Sequence, residues 1–226
     1  MKKFMCSLVI TGLVGLAGTA SAEDAVPEFS FNAAATNDYV WRGASQSNEG
    51  GAVQGGVDLT YGGFYAGTWA STVDFSDDTD VEWDFYAGLN STSGTIDWDV
   101  GVIYYYYVGA PSGSDYDFVE FKAAASHSFD KLTLGAAVHY SPDFYGVDET
   151  ATYLEANAGY EFNDRWSVSG GVGRQFVDVT SDYTAWNLGM GVNLTKTLSL
   201  DVRYWDASVS SPLTDPRLAA TLGVAF

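Results

Sequence analysis

Cysteine is almost absent from this sequence: the single one, Cys6, falls within the first ten residues. Disulfides are therefore excluded as staples for whatever follows. Basic residues are also scarce, 10 Lys and Arg against 29 Asp and Glu, for a net charge of −19. That balance excludes nucleic acid as a partner, because a phosphate backbone has to be met by Lys and Arg. After residue 22, no stretch approaches the roughly 18 uninterrupted apolar residues that a membrane-spanning helix needs. Proline occurs only 5 times, whereas Gly (25) and Tyr (15) are plentiful, a composition suited to strands and turns.

The start of the chain reads as a separate segment. Lys2 and Lys3 give a basic beginning, residues 8–18 a short apolar run, and Ala20-Ser21-Ala22 a small-residue cleavage site. This is the pattern of a secretory signal peptide over residues 1–22, too short for a membrane anchor. Cys6 precedes the apolar run and so cannot be a lipoprotein cysteine. Loss of Lys2 and Lys3 takes the net charge from −19 to −21. Residues 23–226 are of a size for one domain.

From Phe29 onward apolar and polar residues alternate with period two. The alternation predicts twelve strands, over 29–42, 53–61, 65–75, 81–90, 96–107, 119–129, 132–141, 153–162, 166–176, 186–194, 198–205 and 217–226. In the first, Phe29, Phe31, Tyr39 and Trp41 are expected on the apolar face with Arg42 opposite. In the third, Tyr65, Trp69, Val73 and Phe75 are expected there, with Thr68 and Thr72 opposite. Connections alternate between long polar loops and tight turns, and aromatics gather near strand ends. Both regularities fit a transmembrane antiparallel up-and-down β-barrel, with long loops outside, short turns in the periplasm and aromatic girdles at both interfaces. Loops 43–50, 142–149 and 206–216 are expected to face outward, and both termini the periplasm.

The last strand, RLAATLGVAF, carries Leu218, Ala220, Leu222, Val224 and Phe226 on one face. An apolar strand that ends in Phe is exposed at a free edge. In a closed barrel it pairs with the first strand and meets lipid. Leu222, Val224 and Phe226 resemble the assembly signal of bacterial outer-membrane barrels. The implied partners are outer-membrane lipid and the barrel-assembly machinery.

The runs NDYVWRGASQS (37–47), GAVQGGVDLTYGGFYAGTWASTVDF (51–75), EWDFYAGL (82–89) and DWDVGVIYYYY (97–107) resemble TorF-family porins, a proteobacterial group of exported proteins long without an assigned function. The resemblance covers about residues 29–107, with little beyond strand pattern and the closing Phe afterwards. It implies an outer-membrane porin of the Gram-negative type and carries over no catalytic residues.

On the non-lipid face, carboxylates outnumber bases: Asp58, Glu82, Asp84, Asp97, Asp99, Glu120, Glu155, Glu161 and Asp201 against Arg42, Lys122, Arg203 and Arg217. Buried carboxylates need water or partners, so the excess predicts a wet lumen. Asp84 is expected to share a face with Asp97 and Asp99 on the neighbouring strand. The resulting expectation is a narrow, cation-preferring pore for small solutes or ions. A barrel enzyme acting on lipid and a structural barrel without a pore are the alternatives. Neither catalytic residues nor a cofactor are expected. His139 and Ser141 share the inward face but lack a third orienting group, and a lipid-cleaving pair would have to face the bilayer. His127 is expected at the lipid interface. Asp74, Asp77, Asp78 and Asp80 could approach a hard cation, but without the spacing of a calcium loop. They are expected as a solvated acidic loop, with no metal.

Overall fold

An alternating sequence stands as a sheet only if its apolar face is covered, and here that face is turned outward. Phe29 is 64 % exposed, Leu188 55 % and Phe121 53 %, whereas the inward neighbour Glu120 is 1 % exposed. The protein is hydrophobic on the outside and polar within, the reverse of a water-soluble sandwich and the pattern of a lipid-facing barrel. The computed structural model describes residues 25–147, 149–178 and 181–226. The signal-peptide expectation for residues 1–22 lies outside these.

The strands are β1 (Glu28–Thr36), β2 (Val40–Trp41), β3 (Ala44–Ser45), β4 (Ala52–Tyr61), β5 (Phe64–Thr72), β6 (Val81–Ser93) and β7 (Ile96–Val108). They continue with β8 (Phe118–Phe129), β9 (Leu132–Ser141), β10 (Ala151–Glu161), β11 (Trp166–Val177), β12 (Tyr183–Asn193), β13 (Leu198–Ala207) and β14 (Arg217–Ala225). All except β2 and β3 join in one closed antiparallel barrel, each paired with its neighbour in sequence, and β1 closes against β14. At the seam, Asn32 faces Ala225 and Thr36 faces Thr221. The Phe226 N–H donates to the Phe31 carbonyl (2.9 Å), and the Phe31 N–H donates back (3.2 Å). Closure pairs each strand of the barrel on both sides, as a lipid environment demands. The tight turns 62–63, 94–95, 130–131, 162–165 and 194–197 gather at one end and the longer connections at the other.

Three expectations fail, each for a physical reason. The first strand does not run to Arg42. It stops at Thr36, and the chain turns into the barrel, so Tyr39 is buried rather than lipid-facing and Trp41 lies inside. The segment 43–50, expected as an outward loop, is largely folded inward with it: Ser45 and Ser47 are buried, and Asn48 and Glu49 remain exposed.

In β5 the faces are inverted. Tyr61 pairs with Phe64 across the two-residue turn Gly62-Gly63, so these two share the outer face. Ala66, Thr68, Ala70 and Thr72 follow them outward, while Tyr65, Trp69 and Val73 point in. A shift of one residue exchanges every side chain between the faces. Phe75, expected outward, packs with the inner aromatics Tyr107, Tyr116 and Tyr145.

Candidate pore interior

The centre of the interior is built by residues 37–50. Asp38 organises the entry: its carboxylate accepts from the hydroxyls of Ser45 (2.6 Å) and Ser47 (3.3 Å) and from Arg217 (3.0 Å). Arg217 also pairs with Glu49 (3.4 Å). These bonds fold the chain back on itself and let β2 and β3 pair, Val40 with Ser45 and Trp41 with Ala44. The turn residues Arg42 (φ 47°) and Gly43 (φ 84°) are both left-handed, as a two-residue hairpin matching strand twist requires. Glycine is needed at 43 on a second count: an added Cβ would stand 2.7 Å from the Ala185 Cβ.

This hairpin crosses the barrel from wall to wall. Val40 clusters with Trp205 on β13 and Ala219 on β14. Tyr39 packs edge-on against Trp69 of β5 (5.5 Å) and donates to Glu82 of β6 (2.7 Å). At the tip, the two terminal nitrogens of Arg42 donate to the two oxygens of Glu120 on β8, both at 2.8 Å, and Nη1 donates to Gln175 of β11 (3.0 Å). The guanidinium lies 4.2 Å from the ring centres of both Trp41 and Tyr153. Tyr153 has space for its ring because it packs over Gly173, where any Cβ would collide with its hydroxyl. Above the hairpin, toward the long loops, Trp41, Tyr105, Phe118 and Phe144 form a further aromatic cluster.

The remaining candidate residues divide into two levels along the barrel. Glu82 accepts from Tyr39 and from Tyr107 (3.0 Å), and Asp84 stands beside it, with an Oδ1 that finds no donor among the described residues. Nearer the short turns, Asp58 accepts from Tyr86, Asp99 accepts from Tyr65 (3.1 Å) and pairs with Lys122 (3.3 Å), and Asp97 accepts from Thr92 (2.6 Å). Asp84 is opposite Tyr105, while Asp99 is opposite Asn90 and Asp97 opposite Thr92. The three face the same interior, but Asp84 does not meet the other two. Glu155 accepts from Asn157 (2.9 Å). Arg203 is held by Asp201 (3.0 Å), Asn187 (2.6 Å) and Ser169 (2.8 Å). Glu161 lies exposed at the short-turn end of β10. Beside the hairpin, on the wall away from Glu120, a cavity of about 30 Å³ is lined by Asp38, Gln54, Asp201 and Arg203 among others.

The other candidates resolve simply. Ser141 donates to the Asp143 carbonyl (2.8 Å), and His139 Nδ1 lies 3.6 Å from Glu120, so the two are not joined as nucleophile and base. His127 lies against Phe129 (4.0 Å) and the Thr95 carbonyl. In the acidic loop, Asp77 accepts from the Thr79 N–H (2.8 Å) and from Tyr116 (3.0 Å), and Asp74 accepts from the Ser76 N–H (2.8 Å). The Tyr116–Asp77 bond holds the tyrosine hydroxyl above its usual range. Among the described residues no group of His, Cys, Asp and Glu is arranged to hold a metal. Leu222 and Phe226 face outward, Phe226 at 74 % exposure, and Val224 is half-buried.

Sequence reasoning missed Asp38, Tyr39, Trp41, Tyr153 and Gln175 as members of the central assembly. The available signal was Arg42-Gly43, a turn dipeptide enclosed by the short runs Tyr-Val-Trp and Ala-Ser-Gln-Ser.

A family model described as a bacterial protein of unknown function (Gcw_chp) matches residues 20–224. Comparison with curated proteins finds no match. Among solved structures, the barrel is similar to the KdgM porin (10 % identity, TM-score 0.60, 87 % of this chain and 98 % of that one), also solved in complex with disordered oligogalacturonate. It is similar to the NanC porin (11 % identity, TM-score 0.58, 88 % and 99 %). It is similar as well to an outer membrane channel from Pseudomonas putida F1 (11 % identity, TM-score 0.53, 94 % and 98 %). At such identities the likeness concerns the fold, and the TorF name is not what matches.

Proposed function

The chain belongs to the bacterial Gcw_chp family, and we propose that it is a narrow, cation-preferring channel of the outer membrane for small solutes or ions. The observation that carries this reading is the acid excess on the inner face of a closed barrel. Asp58, Asp97, Asp99, Glu155 and Asp201 are half-buried there, and Lys122 and Arg203 offset only part of their charge. Carboxylates lining a passage concentrate cations and repel anions.

Narrowness is supported by the crossing hairpin and its aromatics. Twelve strands lie between barrels filled by their own side chains and wide porins, so what the interior holds decides the bore. The outward apolar face supports a lipid environment, and the apolar face of β14, continued by Phe226 just after it, supports recognition by the barrel-assembly machinery. KdgM has been solved with a polyanion. The acid-rich interior here favours the opposite charge, so that ligand is not carried over.

Planar-bilayer recording with the purified protein tests the reading. Discrete conductance steps are expected, and a preparation of folded barrel without any would remove it.

A further inference from the structure

The slot filled by Arg42 has the make-up of a cation-binding site in its own right. Glu120 offers both oxygens, each 2.8 Å from a guanidinium nitrogen. Gln175 adds a third acceptor at 3.0 Å, and aromatic faces close both sides at 4.2 Å. A planar fork of N–H groups between two rings fits this slot, whereas a compact ammonium makes neither the paired bonds nor the stacking. Tyr105 donates to Glu120 Oε2 (3.1 Å) and so fixes the carboxylate. Except for Trp41, the slot stands on the barrel wall: Glu120 on β8, Gln175 on β11, Tyr153 on β10 and Tyr105 on β7. It would outlast withdrawal of the hairpin.

The hairpin itself has two-residue strands, and its tip holds Arg42 at a positive φ, a conformation unfavourable for a residue with a Cβ and kept by the contacts at its end.

We propose that this slot is a guanidinium-binding site of the channel, occupied at rest by the protein's own Arg42 and open to competition from solutes that carry a guanidinium group. The proposal rests on the channel reading and names a solute class for it. When the solute takes the seat, Arg42 and its hairpin leave the centre of the barrel, and the passage widens.

Guanidinium ion is the probe, compared at millimolar concentration with sodium at equal ionic strength in planar bilayers. In the native protein it competes with Arg42, and conductance should rise several-fold. In Arg42→Ala the hairpin tip is no longer held at Glu120 and Gln175. Conductance should start several-fold higher, and guanidinium should lower it by filling the vacant seat. The opposite signs are the signature. In Arg42→Ala with Glu120→Gln, guanidinium should change nothing.

A readout independent of conduction is the temperature at which the heat-modifiable gel band of Arg42→Ala unfolds. Guanidinium should raise it, and Glu120→Gln should abolish the rise. Conductance that ignores guanidinium in both proteins would overturn the seat and leave the channel reading standing. Stabilisation by guanidinium without conductance in any variant would overturn the channel reading and leave the seat. Should Arg42→Ala fail to fold, the native protein still decides: no rise in conductance with guanidinium refutes the proposal.

Discussion

Arg42 and Glu120, 78 positions apart in sequence, meet inside the barrel through two parallel bonds of 2.8 Å, with both side chains almost wholly buried. A buried ion pair of this kind is costly to break and cheap to replace. Removing one partner strands the other charge, at about 3–5 kcal/mol, whereas an apolar pair of similar volume is often neutral or stabilising. Glu120→Leu alone should destabilise the folded barrel by about that amount. Arg42→Met with Glu120→Leu should recover most of the loss. Urea titration of the protein in lipid vesicles gives the three free energies. Additive losses would mean that the pair is not the unit the geometry describes.

The end at which the long connections gather should be the cell exterior. Asn48 and Ser210 are exposed there, and the chain after residue 22 has no cysteine to confuse the labelling. Asn48→Cys or Ser210→Cys should react with an impermeant thiol reagent on intact cells. Reaction only after the outer membrane is broken would reverse the orientation.

Phe226 contributes to closure through its backbone pairing with Phe31. Deleting it should lower the yield of heat-modifiable barrel in the outer membrane by more than the loss of an exposed ring accounts for. A full yield would make Phe226 ordinary lipid-facing bulk.

The inverted face of β5 is also open to measurement. Thr68 points outward, where its hydroxyl accepts from the Trp83 indole (2.6 Å). An arginine on the lipid face near the membrane centre costs about 2–4 kcal/mol. Thr68→Arg should incur that loss in the same urea titration. A Thr68→Arg variant as stable as the native protein would restore the opposite orientation.

The barrel was legible in the sequence because period-two alternation and loop asymmetry are written locally in nearly every strand. Where both faces hold aromatic or small residues, as in Phe64-Tyr65-Ala66-Gly67-Thr68-Trp69, alternation alone does not choose. The Gly62-Gly63 turn does, since the residues flanking a two-residue hairpin share a face. The central hairpin was less legible still. Trp41-Arg42 continues the first strand's alternation, and only Arg42-Gly43 hints that the chain reverses. Its partners Glu120, Tyr153 and Gln175 come from strands far along the chain, and no local pattern ties them to Arg42. The separation of Asp84 from Asp97 and Asp99 depends on the β6–β7 register, which the alternation leaves free by whole pairs of residues.

Preference for cations, set by the interior carboxylates, is the property on which the channel's selectivity turns. It is measured by the reversal potential across a planar bilayer under a potassium chloride gradient, for the native protein and for Asp58→Asn with Asp97→Asn and Asp99→Asn. One unit charge acts at about 1 kcal/mol at 4 Å in water, so the set has to be changed together, and high salt should blunt the preference by screening. The native protein should reverse toward the potassium potential, and the triple variant should shift toward zero. Anion preference in the native protein, or a triple variant as selective as the native one, would contradict it.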